Sequence, residues 1–161
     1  MTAPAGARPV FLALGVAARL IVGGVLVYAG ASKAAGAAEE FALVIGAYQV
    51  LPPEMNLTLA TFLPWVELIV GWSLILGLRL HAAAVASCAL FAAFLAALLS
   101  VQVRGIELPT CGCFGDSLHF TTLQALLFDS ALAGLSFLAW KSAPAPLSLD
   151  SWTQGGYTGD L

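Results

Sequence analysis

Four long apolar stretches dominate this sequence and leave few folds open to it. They cover about residues 11–31, 57–78, 82–101 and 120–140. A helix rises about 1.5 Å per residue, so about 20 residues cross the roughly 30 Å of hydrocarbon in a bilayer. Charged residues make up only 9% of the chain, against roughly 25% in soluble domains. The sequence therefore predicts an all-α membrane protein, with residues 1–141 forming one four-transmembrane-helix bundle in the lipid bilayer.

The first apolar stretch has two interpretations. The small residues Ala29, Gly30 and Ala31 are compatible with cleavage of a signal peptide. However, Arg19 inside the stretch, and a length greater than that of a typical signal-peptide core, favour a retained span.

The segment between the first two stretches has helical periodicity but is too short to span a membrane. Glu39 and Glu40 open it, and residues 51–53 (Leu-Pro-Pro) close it. Its apolar residues recur at helical spacing: Phe41, Val44, Ile45 and Tyr48. This pattern predicts an additional amphipathic helix on the membrane surface or over the end of the bundle, with a packed connecting helix as the alternative.

Small residues recur in the third stretch. Ala89, Ala93 and Ala97 follow one another at four-residue spacing. Small side chains on one helix face let a second helix approach closely, so the spacing predicts a helix contact there.

The most reactive part of the chain is the polar link before the last stretch, where only Gly112 separates Cys111 from Cys113. Two cysteines so placed can reach the Cα separation of about 4.4–6.8 Å that a disulfide needs. A disulfide closing so small a ring is expected to be labile and oxidising. An inert turn remains an alternative, as does half of a metal site completed by Asp116, His119 or a second protomer. We predict Cys111 and Cys113 as the catalytic pair and expect no metal.

Three ionisable residues lie inside the apolar stretches. Arg19, Glu67 and Asp129 belong to three different stretches, each about nine to eleven residues from an end. An isolated charge at the bilayer centre costs at least about 2.5–3.5 kcal/mol, so we expect these residues to face the interior and to pair. A structural ion pair, a proton path and a polar anchor for a quinone head group are all compatible with this pattern.

The distribution of charge indicates an orientation. With four spans both termini lie on one side, together with Arg8, Arg79 and Lys141, whereas Lys33 and Arg104 share the other side with the cysteine pair. The excess of basic residues places the termini in the cytoplasm and the cysteine pair in the periplasm or outside the cell, where disulfides persist. Residues 142–161 are predicted to form a mobile cytoplasmic tail. The net charge of −3, without a basic cluster, argues against a nucleic-acid partner.

The chain resembles the DoxX-like membrane proteins, and most closely their MauE branch. The resemblance rests on the following residues: Arg19, Tyr28-Ala29-Gly30-Ala31-Ser32-Lys33, Ile45, Tyr48, Leu51-Pro52, Leu63-Pro64-Trp65-Val66-Glu67-Leu68, Gly71, Arg104-Gly105 and Cys111-Gly112-Cys113-Phe114-Gly115. It extends to about residue 140, and the last motif is the most specific.

The resemblance implies a four-helix bundle in the bacterial cytoplasmic membrane, similar in general design to the DsbB and vitamin K epoxide reductase type. It implies a periplasmic thioredoxin-like partner, and a cysteine-containing substrate protein such as methylamine dehydrogenase. We therefore expect a thiol–disulfide oxidoreductase, with electrons leaving through a quinone or through the partner. The alternative is a non-enzymatic scaffold or assembly factor with a structural disulfide. DsbB-type enzymes use two cysteine pairs, whereas this chain has one pair and the remote Cys88.

Overall fold

The computed structural model describes residues 7–106 and 121–142, with side chains from residue 13 onward. The described residues contain no strand and form five helices: α1 Ala7–Ala35, α2 Ala38–Ala47, α3 Pro53–Leu76, α4 Leu80–Arg104 and α5 Thr122–Lys141. All but α2 are long and apolar enough to cross a membrane. The predicted fold class is confirmed, including the additional short helix between the first two spans.

The long helices alternate in direction and pack in a ring. Helix α1 packs against α3 and α5, and α4 packs against the same two helices, so α1 lies opposite α4. Close approach of Gly15 to Ser142 brings the first and last helices together at one end of the bundle. We call this the terminal end, and the opposite end, where α2 packs against α3, the α2 end.

A tight turn makes α3 and α4 neighbours. Gly77 has φ 68° and Arg79 has φ 44°, both in the left-handed region. Glycine adopts this conformation readily, whereas arginine seldom does. The two left-handed residues reverse the chain within three residues, so α4 returns directly along α3.

Helix α5 begins with a capping box. The backbone N–H of Gln124 donates to Thr121 Oγ1, and the backbone N–H of Thr121 donates to Gln124 Oε1 at 3.1 Å. These bonds satisfy two donors that a helix start leaves open. The cap therefore fixes where the chain re-enters the bundle after the polar link.

The interior is apolar, and much of the perimeter is apolar too. Val22, Leu74 and Ala84 are completely buried at the centre. By contrast, Trp65 and Ile69 on the outer face of α3 are 59% and 66% exposed. Large apolar side chains on the outside are expected where lipid is the solvent.

Helices α1 and α3 approach closely through glycine. A Cβ atom built on Gly23 would lie 2.8 Å from the carbonyl oxygen of Gly71, and one on Gly30 would lie 2.7 Å from that of Pro64. Both distances are shorter than real Cβ contacts, so no residue larger than glycine fits at these two positions. Gly23 and Gly30 are two turns apart and place the same face of α1 against α3.

The alanine spacing in α4 does not mark such a contact. Ala89 and Ala93 are exposed and Ala97 is half-buried. The prediction that another helix packs closely on these residues is therefore wrong for the described part of the chain. The close approach in this bundle is instead between α1 and α3, where glycines leave no side-chain atom between the two backbones.

Candidate functional site

A buried ion pair joins α1 to α3 near the α2 end. Lys33 Nζ lies 2.9 Å from both Glu67 Oε1 and Glu67 Oε2. The side chain of Lys33 is 4% exposed and that of Glu67 is fully buried. Charges can be held in such a place only if paired, because desolvation of either alone is costly. The contact of Lys33 Nζ with both carboxylate oxygens replaces hydrogen bonds that water would otherwise make with the two groups.

The sequence did not indicate Lys33 as the partner of Glu67. Arg19 was the only cation inside the predicted spans, but α1 continues beyond residue 31 to Ala35 and carries Lys33 into the bundle. A usable signal was present: Lys33 lies three residues after Gly30, and residues so spaced share a helix face. Gly30 contacts α3 beside Glu67, since its built Cβ lies 3.1 Å from Glu67 Cβ.

The structure does not bring Arg19 to Glu67. Arg19 lies eleven residues before Gly30 on α1, which is about 16 Å along the helix axis. Arg19 is 3% exposed and lies toward the terminal end. Arg19 and Glu67 thus do not form the expected pair, because the depth of each residue depends on helix register and not on its distance from the end of an apolar run.

Asp129 lies at a depth closer to that of Glu67. It is 4% exposed on α5, and it precedes Ser142 by thirteen residues, or about 20 Å of helix. Gly30 lies fifteen residues beyond Gly15, which contacts Ser142. Glu67 and Asp129 therefore occupy similar levels on opposite helices of the ring. A quinone or proton role for Arg19, Glu67 and Asp129 stays a prediction.

A cavity of about 390 Å³ lies beside the ion pair, beneath α2. Its walls come from α2, α3 and α4, from the turn after α2 and from Lys33 in the last turn of α1. Among the residues that the structure describes, Lys33 is the one charged residue that lines it. The apolar residues that the sequence placed on one face of α2 all line the cavity: Phe41, Val44, Ile45 and Tyr48. The amphipathic face of α2 thus covers an internal space instead of only packing on lipid.

Arg104 ties the end of α4 to the end of α2. Its Nη1 donates to the carbonyl oxygen of Gln49 at 3.0 Å, and its Nη2 donates to that of Tyr48 and to Ser100 Oγ. These two carbonyls directly follow the last turn of α2, where a cation is favoured by the helix dipole. Arg104 is thereby a clamp on the helix that covers the cavity.

Replacement of Arg104 by alanine is expected to loosen α2 without unfolding the bundle. Loss of the clamp removes hydrogen bonds to backbone carbonyls, each worth about 1 kcal/mol. Hydrogen exchange of the amides in α2 should therefore accelerate about fivefold to tenfold, with little change in α3 and α4. Gln102→Ala, at an exposed position of the same turn, is the control. Equal exchange in the two variants would show that Arg104 does not hold α2.

The predicted catalytic cysteines, Cys111 and Cys113, lie outside the described residues, as do Asp116 and His119 of the metal alternative. Cys88 is half-buried on α4 with a free thiol. It lies sixteen residues before Arg104, about 24 Å along α4 from the start of the polar link. Lys33 and Arg104, the basic residues that the sequence places on the side of the cysteine pair, have the partners described above.

The comparisons with known proteins identify the family. A family model described as methylamine utilisation protein MauE matches residues 11–142. No curated protein and no solved structure matches the chain. The match runs from α1 to the end of α5 and includes the ion pair, the cavity and the cysteine pair. The chain therefore belongs to the MauE family, a multi-pass membrane family tied to methylamine utilisation.

Proposed function

We propose that this protein is a thiol–disulfide redox protein of the bacterial cytoplasmic membrane. Its Cys111–Cys113 pair exchanges disulfides with a periplasmic thioredoxin-like partner and so supports maturation of an exported enzyme such as methylamine dehydrogenase. The observation that carries the proposal is the match to the methylamine utilisation family over a chain that contains the pair. The bundle contributes a rigid membrane anchor for the polar link.

The exchange leaves the total number of disulfide bonds unchanged. A thiolate of the partner attacks one sulfur of the Cys111–Cys113 disulfide, that S–S bond breaks, and a mixed disulfide forms. The second thiolate of the partner then attacks the mixed disulfide. The partner leaves with its own S–S bond, and Cys111 and Cys113 remain as a dithiol. The reverse sequence reduces the partner, so one mechanism serves both directions.

The geometry around the link supports an outward-facing pair. The polar link leaves α4 after Arg104 and re-enters at Thr121, so both of its ends lie at the α2 end. Lys33 is buried against Glu67 and is not a loop charge. The comparison of basic residues is then between Arg104 at the α2 end and three residues, Arg8, Arg79 and Lys141, at the terminal end. Since basic loop residues favour the cytoplasm, this supports cytoplasmic termini and a periplasmic cysteine pair.

Thiol labelling in intact cells tests both location and redox state. In a Cys88→Ala variant, a membrane-impermeant maleimide is expected to label the protein only after mild reduction. Labelling before reduction would indicate free thiols outside and would contradict an oxidised resting pair. No labelling after reduction would contradict the proposed orientation.

Single replacement of the two cysteines tests the exchange. Cys113→Ser is expected to accumulate a mixed disulfide with the partner through Cys111, with normal abundance of the membrane protein. Cys111→Ser is the matched variant and shows which cysteine the partner meets. A loss of abundance in both variants, with no trapped partner, would favour the scaffold with a structural disulfide.

A further inference from the structure

The cavity beneath α2 has the properties of a binding site for a lipophilic small molecule. Its volume of about 390 Å³ falls within the range of roughly 300–1,000 Å³ that ligand pockets occupy. Most of its wall is hydrocarbon or aromatic, including Leu63, Phe94 and Leu98. A hydrated ligand would lose its water there without compensation. The walls therefore favour a ligand that is already dissolved in the bilayer.

The ammonium of Lys33, which lines the cavity, sets the kind of head group. The ammonium of Lys33 has three N–H donors, and the carboxylate oxygens of Glu67 accept two of them. Among the described residues no acceptor lies within hydrogen-bonding distance for the third. A buried donor gains most from an acceptor that arrives with the ligand. The ligand is thus expected to carry a carbonyl or similar oxygen.

The charge balance favours a neutral head group. Lys33 and Glu67 together carry no net charge, and Glu67 is fully buried. An anionic phosphate brought to Lys33 would approach the carboxylate of Glu67 in a medium of low dielectric constant, which is unfavourable. A neutral ketone oxygen adds an acceptor without adding a charge. This argues against a phospholipid head group and for an uncharged carbonyl compound.

The aromatic lining and the opening complete the description. Phe41 lies with its ring centroid 5.7 Å from Lys33 Nζ, and Phe94 lines the same cavity. Aromatic faces near the cation suit a flat ring, because planar rings stack at an offset on such side chains. At the edge of the cavity Val50 is 52% exposed and Leu59 is 36% exposed. An apolar tail can leave between them toward lipid.

We propose that the cavity beneath α2 binds an isoprenoid quinone, with one ring carbonyl accepting a hydrogen bond from Lys33. The ring lies between α2 and α4, and the tail leaves past Val50 and Leu59. Binding is independent of the proposed disulfide exchange, since it involves neither Cys111 nor Cys113.

Photolabelling tests the site in the full-length protein. The protein is placed in quinone-free phosphatidylcholine nanodiscs and labelled with an azido-ubiquinone, with decylubiquinone as competitor. Labelling of α2 or α4 that decylubiquinone suppresses is expected. Decylbenzene, which has the tail but no carbonyl, and added phosphatidylglycerol should not compete. Equal competition by either would overturn the quinone assignment in favour of a lipid or hydrocarbon site.

Two matched variants locate the site. Ala97→Phe adds a ring inside the cavity, whereas Ala96→Phe adds the same ring at an exposed position that does not line it. Competable labelling should fall at least about tenfold in the first, since the ring occupies the ligand volume, and be unchanged in the second. Equal labelling in the two variants would place the quinone elsewhere.

The double variant Lys33→Met with Glu67→Leu tests the head group. It should keep the fold and lose about tenfold or more in affinity, the equivalent of one charge-assisted hydrogen bond. Unchanged affinity would contradict the role of Lys33. A variant lacking both Cys111 and Cys113 should bind the quinone normally, so failure of this inference and failure of the disulfide exchange are distinguishable.

Discussion

Replacement of Lys33 by methionine is expected to lower the free energy of unfolding by about 3–5 kcal/mol, the usual cost of removing one partner from a buried ion pair. Glu67 would keep its place in the middle of α3 with no exposed side-chain surface. It cannot reach water, because its side chain is short and nine residues separate it from the end of the helix at Leu76. Reversible unfolding in mixed micelles measures the change.

The reverse replacement, Glu67→Leu, should cost less. Lys33 lies in the last turn of α1 and has a long flexible side chain, so its ammonium can extend toward the interface. The double variant should recover most of the stability lost in Lys33→Met, because two apolar side chains can replace a buried ion pair at little cost. Additive losses in the double variant would contradict coupling of the two residues.

Replacement of Gly23 by leucine is expected to separate α1 from α3 and to cost about 3 kcal/mol, the upper end of the range for overpacking. Even the first added atom would lie 2.8 Å from the backbone oxygen of Gly71 and 2.8 Å from Ile75 Cγ1. A backbone oxygen cannot rotate away, so relief requires movement of a whole helix. The free energy of unfolding and the yield of folded protein report the effect.

The neighbouring glycine provides the control. A Cβ atom on Gly24 meets nothing within 4 Å, so Gly24→Leu should leave stability almost unchanged. Leucine is also a better helix former than glycine by up to about 1 kcal/mol, which opposes any small loss. If Gly23→Leu and Gly24→Leu behave alike, the close approach of α1 and α3 is not what stabilises the bundle.

The long helices followed from the sequence because length and hydrophobicity are local properties. About 20 apolar residues have few alternatives in a bilayer, and the runs near residues 57–78 and 82–101 correspond to α3 and α4. Helix α2 was also predictable, since Glu39 and Glu40 at its start and the periodic apolar residues after them act within one or two turns. The register of one helix against another is not a local property.

The candidate site shows the same division. Glu67 was predicted as a buried, paired residue, because a carboxylate within an apolar run has no stable alternative. Its partner was not predictable from depth alone. The choice of Lys33 over Arg19 depends on how far α1 slides along α3, and the contacts of Gly23 and Gly30 with α3 set that distance.

The sequence by itself determined the number of apolar helices, the presence of the short amphipathic helix, the burial of Glu67 and membership of the MauE family. These depend on residue type and on spacing along one segment. Only the tertiary structure decided that Lys33 neutralises Glu67, that Arg104 holds the end of α2, and that α2 covers an apolar cavity. Each of these joins residues of different helices, such as Lys33 and Glu67, which are 34 positions apart, and their meeting depends on the packing of whole helices.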